Sequence, residues 1–372
     1  MVHPYQDFYG GGEKVCLNVV KTLILHGQKV ELLTFDFDND KYRNIIGEEF
    51  PKEVIIHSLG TKIEIRPPFT LYKRRRIFVK SLKEHRRGLK YDFLFSTQPS
   101  LPFEPVFLNE AKKNIAYVHF PEINFDYDKA NMKRKVYLWL FKKWVEQGVS
   151  KLDLIFCNSN YTREMIERYW KTSGLKDPIV VYPPVDLNLF WCDRPLSERR
   201  RRVIYVARFA SVKRHEIMKK LAADLPSYEF VSVGTSVEGE KDWYRRFSEN
   251  LPQNYTLKIN LPEADKIKLL HESRVYVHLM EGEHFGIAPV EGLASGCITL
   301  VHNSGGMKEF IPQEFRWKSY DDLKDKIVTY MESTEESLNW KEKREELWSK
   351  ISVLTPEAFQ NNIWSHIQTL IS

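Results

Sequence analysis

The apolar positions of this 372-residue chain fall into runs of four to six residues, most of them continuous rather than alternating. Continuous Val, Ile and Leu suit strands covered on both faces, because every successive side chain then meets a buried layer. The runs predict strands at Lys29–Thr34, Val54–Leu59, Phe93–Ser96, Ile115–His119, Leu154–Asn158 and Ile179–Tyr182. A second series follows at Val203–Ala207, Glu229–Gly234, Thr256–Ile259, Val275–Leu279 and Ile298–His302. Between them, helical spacing marks Lys14–His26, Tyr161–Tyr169, His215–Leu225, Ala264–Glu272 and Pro289–Ser295. Such alternation predicts an α/β chain of parallel, doubly wound sheets.

A chain of this length exceeds what one core usually organises. The best boundary is Tyr182-Pro183-Pro184-Val185-Asp186, where two prolines end the preceding strand and stiffen the connection. Residues 1–185 and the residues from 186 onward then form two Rossmann-like domains facing a cleft. One expectation is awkward. The chain opens Met-Val-His-Pro directly before a glycine loop, so the central first strand of the N-terminal sheet is either unusually short or lost to a late start.

The net charge of +6 and isoelectric point near 8.8 favour anionic partners. The excess is local, since Tyr72 to Lys90 holds nine Lys/Arg against one Glu, and Lys129 to Lys143 adds a second cluster. Within Lys133–Val149, Val136, Trp139, Leu140, Lys143 and Trp144 recur at helical spacing. That pattern fits an interfacial helix on an anionic leaflet, and equally a helix packed on the sheet. Cys16, Cys157, Cys192 and Cys297 lie far apart and read as free thiols of a reducing compartment. No apolar run reaches the ~18 residues of a membrane span, and no leader pattern opens the chain. The expected location is therefore cytoplasmic, at most peripheral on the cytosolic membrane face.

Candidate chemistry concentrates in Glu281–Glu309. Phe285-Gly286 follows an expected strand and precedes an expected helix, where first-turn N–H groups are free for a ligand. Glu283 and Glu291 are separated by seven residues, which allows both carboxylates to face one polyhydroxyl ligand, although two solvated glutamates near a helix start meet the same spacing. Arg208 and Lys213 follow the strand Val203–Ala207, at the edge where open α/β sheets bind ligands. A planar fork and a point charge suit a diphosphate, though an ordinary basic loop also fits. Gly10-Gly11-Gly12 before a helix permits close ligand approach but is not a dinucleotide fingerprint. His119 ends a strand and either reaches the cleft or serves as a buried structural histidine. Asp36-Phe37-Asp38-Asn39-Asp40 lacks the glycine and glutamate of a calcium loop, and no metal-ligand cluster is visible.

Taken in order, the glycine loop, Arg208/Lys213, Glu283-x7-Glu291 and Gly305-Gly306-x-x-Glu309 resemble the GT4-type retaining glycosyltransferases of GT-B fold. His3-Pro4-Tyr5, Tyr117-Val118-His119-Phe120-Pro121, Tyr182-Pro183-Pro184, Glu283-His284-Phe285-Gly286 and His302-Asn303-Ser304-Gly305-Gly306 resemble the α-1,2-mannosyltransferases of the dolichol-linked oligosaccharide. The resemblance implies that Arg208 and Lys213 neutralise the donor diphosphate. Glu283, with the backbone at Phe285, Gly286 and Ile287, would hold the transferred sugar, and Glu291 the ribose. Gly11 and Gly12 would approach the donor, and His119 would sit near the reacting sugar. It further implies a GDP- or UDP-linked sugar donor, a glycan or lipid-linked acceptor, no metal or other cofactor, and no nucleic acid. The C-terminal domain would span 186–354, with 355–372 a helix returning to the first domain. Two other readings remain open on sequence: a nucleotide-sugar epimerase of the same fold, and a non-enzymatic protein binding nucleic acid or membrane through its basic surface.

Overall fold

A computed structural model describes residues 1–60, 69–85, 91–98, 111–170, 174–236 and 238–371. Residues 86–90 of the basic run lie outside the described residues.

The N-terminal sheet contains β1 (Glu31–Thr34), β2 (Ile55–Ser58), β3 (Tyr91–Ser96), β4 (Ala111–Val118), β5 (Leu154–Cys157) and β6 (Ile179–Val180). These form a parallel pair, β1-β2, and a parallel group, β3-β4-β5-β6. The gap between them is filled by the chain's first residues. Val2 bridges Leu33 on one side and Ser96 on the other, and its N–H donates to the Phe95 carbonyl at 2.9 Å. Met1–Val2 therefore links the two groups, and the order across the sheet is β2, β1, Met1–Val2, β3, β4, β5, β6.

The C-terminal sheet contains β7 (Arg200–Val206), β8 (Glu229–Gly234), β9 (Tyr255–Ile259), β10 (Ser273–His278), β11 (Ile298–His302) and β12 (Arg316–Trp317). Its order is β9-β8-β7-β10-β11-β12, parallel throughout. β12 was not expected, because Arg316-Trp317 pairs a charged residue with a single apolar one and lies in no Val/Ile/Leu run. In each sheet the strand order reverses once, between Met1–Val2 and β3 and between β7 and β10. Loops leaving the strands there diverge and open a crevice.

Seven helices matter below: α1 (Gly11–Leu25), α2 (Thr70–His85), α3 (Met132–Val149), α4 (Asn160–Tyr169), α5 (Glu263–Glu272), α6 (Ile287–Ala294) and α7 (Pro356–Ile371). One core fills the C-terminal domain, with Tyr205, Phe230, Tyr276 and Val290 at its centre. The first domain's core gathers Val15, Val19 and Leu23 of α1 with Phe95, Tyr117 and Phe156, and is completed by Phe359, Ile363 and Ile367 of α7. Each such buried side chain contributes roughly 1.5–3 kcal/mol, so α7 is part of the domain it returns to. Its Trp364 stacks on His26, the residue that closes α1, with centroids 4.2 Å apart. The two interdomain passages run side by side, the Val185 N–H donating to the Leu354 carbonyl at 2.7 Å.

Candidate active site

β7 and β10 deliver their C-terminal ends to the same crevice. After β7 the chain makes one tight turn, Ser211–Lys213, pinned where the buried Tyr205 hydroxyl donates to the Lys213 carbonyl at 2.7 Å. Lys213 Nζ then lies 3.5 Å from Glu283 Oε2, and the same oxygen is 2.9 Å from Nε2 of His278, the last residue of β10. Burial would raise the Glu283 carboxyl, but the Lys213 charge and then the His278 hydrogen bond outweigh it, holding it well below the usual carboxylate range. The loop carrying Glu283 is clasped from behind. Gly305 has φ +77°, and a Cβ there would stand 2.2 Å from the Glu283 carbonyl oxygen; that carbonyl accepts from the Gly306 N–H at 2.8 Å.

Gly286 turns the chain into α6 with φ +96°. The Phe285 ring is buried, edge-on to Phe310 at 5.7 Å, so only its backbone can face a ligand. The first-turn N–H groups of α6 have no acceptors within the helix. At this point the domains meet: a Cβ on Gly11 would lie 2.9 Å from Cδ1 of Ile287, and one on Gly12 would lie 3.6 Å from His119 Nε2. The missing Gly11 side chain leaves room for Ile287 against the glycine loop, whereas a Cβ at Gly12 would stand in ordinary contact with His119.

His119 Nε2 lies 3.1 Å from the Thr97 carbonyl, a partner that can only accept, so Nε2 carries the proton and Nδ1 offers a lone pair. Burial, reinforced by His3, pulls its pKa down to about 4. His3 itself is fully buried between Thr97 Oγ1 at 2.8 Å and Glu13 Oε1 at 3.3 Å. Glu13 in turn accepts from the Gly10 N–H at 2.6 Å, tying the glycine loop to this pair. Arg208 reaches across from the second domain, its guanidinium 5.2 Å from the Phe8 ring centroid and within electrostatic reach of Glu13.

Glu291 sits one helical turn inside α6 and belongs to a buried ring of four charges. Its Oε1 is 3.0 Å from Lys14 Nζ and its Oε2 is 2.9 Å from Lys266 Nζ. Glu263 closes the ring, 2.9 Å from Lys14 and 2.8 Å from Lys266. Burial opposes the Glu291 charge, but Lys14 and then Lys266 outweigh it and hold the carboxyl down to about 2.

Lys213 and Glu283 are therefore in direct contact, and Gly11 with Ile287 and Gly12 with His119 meet where the domains adjoin. Arg208 lies against Phe8, while Glu291 occupies its own ionic ring. The sequence reading gave no role to His3, although it lies in the quoted His3-Pro4-Tyr5 motif, and missed His278, Glu13, Lys14, Glu263 and Lys266. His278 carried the same signal as His119, a polar residue closing an apolar strand. Lys14 follows the glycine loop by two positions, but its partners are 249 and 277 residues away. His284 also joins the domains, its ring stacked on Phe120 at 3.9 Å and 3°, with its carbonyl accepting from Ser159 Oγ at 2.6 Å. Among the described residues no group of three or more His, Cys, Asp or Glu is disposed to hold a metal ion.

Comparison with known proteins bears on both halves. The model of Glycosyltransferase Family 4 matches residues 9–189, and that of Glycosyl transferases group 1 matches residues 193–347. The GDP-Man:Man(3)GlcNAc(2)-PP-Dol alpha-1,2-mannosyltransferase of Dictyostelium discoideum is 26% identical, the alignment covering 100% of this chain and 84% of that protein. The human protein of the same name is 31% identical over 52% of this chain and 46% of its own length. Among solved structures, Anabaena HepE in complex with UDP-glucose superposes with a TM-score of 0.75 at 13% identity, covering 99% of this chain and 98% of that one. Sucrose-phosphate synthase from Thermosynechococcus elongatus gives 0.73 at 18% identity, covering 97% and 94%. At such identities the likeness speaks to the fold, which is GT-B. With both domains matched and the crevice between them lined as described, the chain belongs to the family 4, group 1 glycosyltransferases.

Proposed function

We propose that this enzyme transfers mannose from GDP-mannose, with retention at the anomeric carbon, to a lipid-linked oligosaccharide at the cytosolic membrane face. The observation that carries this reading is the 3.5 Å contact of Lys213 with Glu283 at the strand crossover. A cation and an ionised carboxylate held together there can address, respectively, a departing diphosphate and the hydroxyls of the sugar it leaves. The names of the relatives support mannose, GDP and the dolichol-linked acceptor.

In this scheme the bond from the anomeric carbon to the phosphate oxygen breaks, and negative charge grows on GDP beside an oxocarbenium-like sugar. Lys213 and Arg208 stabilise that charge without needing to reorganise, the kind of contact worth about 10²–10³ in rate. Glu283 holds the sugar hydroxyls, with backbone N–H groups of Phe285, Gly286 and Ile287 beside it. Each Glu291 oxygen spends one lone pair on a lysine and keeps another for a ribose hydroxyl. The acceptor hydroxyl then bonds to the anomeric carbon on the same face and its proton goes to the departing phosphate. His119, with a pKa of about 4, is a poor proton acceptor at neutral pH, so Nδ1 orients a hydroxyl rather than removing its proton. No step calls for a metal.

The test is a transfer assay with GDP-mannose and a short-chain prenyl pyrophosphate bearing Man(3)GlcNAc(2). GDP release matched by an α-1,2-mannosylated product is expected, with no comparable turnover of UDP-glucose. Conversion of the nucleotide-sugar without acceptor would point to the epimerase instead. Preferential use of a UDP-sugar would overturn the donor assignment.

A further inference from the structure

We propose that the outer face of α3, together with the start of α2, is a docking surface for an anionic lipid bilayer. The proposal rests on the reading of a membrane-borne acceptor and names the surface that would meet the lipid. The inward face of α3 is built of Leu138, Phe141, Val145 and Val149. Its outward face is where a soluble helix places charge, yet Met132, Val136 and Trp139 stand there, 75%, 71% and 48% exposed. Spaced four and three residues apart, they form one line along the helix. Lys143 continues the line, its Nζ 4.3 Å from the Trp139 ring centroid. Beside them Phe69, 58% exposed, stacks on Tyr137 with centroids 6.1 Å apart.

The patch is rigid. The Tyr72 hydroxyl donates to the Tyr137 carbonyl at 2.7 Å, Tyr72 packs edge-on to Phe141, and the Arg75 guanidinium lies 3.2 Å from the Trp144 ring centroid. It is also strongly basic, since the sequences of α2 and α3 together hold eleven Lys/Arg against two Glu. Of the neighbouring carboxylates, Glu146 is paired with Lys142 and Asp126 with Arg134. Lys73, Arg76 and Lys133 are exposed.

Aliphatic and Trp side chains ringed by cations suit the boundary between headgroups and acyl chains. A nucleic acid would gain little from Met132 and Val136, and a second copy of this face would meet like charge.

The experiment is flotation of the purified chain with phosphatidylcholine vesicles, with and without phosphatidylserine, in low and raised salt. Binding confined to the anionic vesicles and weakened by salt is expected. A single charge removed should lower partition about fivefold, and Lys133→Glu/Lys143→Glu at least tenfold. Val136→Asp/Trp139→Ala should also release the chain. Both variants should keep wild-type transfer to a water-soluble acceptor, which separates failure of docking from failure of the catalytic assignment. Absence of wild-type binding to anionic vesicles, or undiminished binding by both variants, would overturn the proposal. So would tighter binding to RNA than to vesicles.

Discussion

Lys14 of the first domain and Glu291 of the second meet at 3.0 Å, a contact spanning 277 residues of sequence. Lys14 is carried by the helix that opens on the glycine loop, and Glu291 by the helix that opens on Phe285-Gly286. One ion pair therefore ties together the two helices whose starts open on the glycine loop and on Phe285-Gly286. Removing one partner of a buried pair costs about 3–5 kcal/mol, because the charge left behind is unpaired. We expect Lys14→Met to lower the melting temperature clearly, since Glu263 and Glu291 would then share Lys266 alone. The double variant Lys14→Met/Glu291→Gln should recover part of the loss. A single variant with wild-type melting would show that the ring contributes nothing, and a double variant no more stable than the single one would show that the cost is not a stranded carboxylate.

Lys213→Ala and Glu283→Ala should each lower turnover at least tenfold, and by as much as ~10²–10³ if the contact tightens in the transition state. Both side chains border the crevice rather than filling a core, so circular dichroism should report an intact fold. The Michaelis constant should move less than turnover for Lys213→Ala, because in the proposed scheme its charge is used most when the diphosphate departs. Wild-type rates in both variants would remove the pair from the mechanism.

Acid should weaken the fold in a defined sequence. Burial holds His119 and His284 each at about 4, below the ordinary value of about 6.5. A group depressed in the folded state stabilises it above the unfolded pKa and loses that contribution as pH falls toward the folded one. Stability from these histidines should therefore fade between pH 6.5 and 4. Glu291, held at about 2, adds a second decline below pH 4.5. His284→Phe preserves a ring against Phe120 and removes one titration. Thermal melts across this range should show one fewer proton taken up on unfolding. An unchanged slope in the variant would contradict the buried neutral state.

How much of this was legible in the chain differs between fold and site. Strands such as Glu229–Gly234 and Ile298–His302 could be bounded from sequence because continuous apolar runs have no other use in a doubly wound sheet. The link Met1–Val2 could not, since its role is defined by Leu33 and Ser96 on either side of it. Glu283 and Glu291 stood out by spacing, yet spacing is silent on what each carboxylate meets. Glu283 meets Lys213 and His278, whereas Glu291 meets lysines from two other helices. Lys14, Glu263 and Lys266 were invisible for the same reason. A lone charge on an amphipathic helix looks solvated until the partner domain covers it.

Gly305→Ala should disturb the site without touching a ligand. The residue holds φ +77°, and the added Cβ would stand 2.2 Å from the Glu283 carbonyl oxygen and 2.8 Å from the Glu283 nitrogen. Backbone strain of this kind costs about 1–3 kcal/mol, and relief requires the Glu283 loop to move. Turnover should fall together with stability, in contrast to Lys213→Ala, which leaves the fold alone. A variant with wild-type melting and wild-type rate would mean that the loop has slack the geometry does not suggest.

Glu309 makes the last test, of how the two domains are held. Its Oε1 accepts from the Tyr161 N–H at 3.1 Å, and its Oε2 from Asn160 Nδ2 at 2.8 Å and the Tyr182 hydroxyl at 2.9 Å. A carboxylate of the second domain thus caps the start of α4 in the first and grips the interdomain passage in one stroke. Charge on a helix N-terminus and charge-assisted hydrogen bonds each favour this arrangement. Glu309→Gln keeps the shape and at least one acceptor, whereas Glu309→Ala removes the acceptor of the Asn160 and Tyr161 N–H groups and leaves only the Ser159 cap on Thr162, a loss of about 1.5–3 kcal/mol for a charged partner. We expect the alanine variant to open the crevice, read as faster proteolysis near Tyr182–Asp186, with the Michaelis constant for the donor rising. The glutamine variant should fall between. If alanine leaves both readouts unchanged, the Phe120–His284 stack and the Lys14 ring are sufficient to hold the domains together.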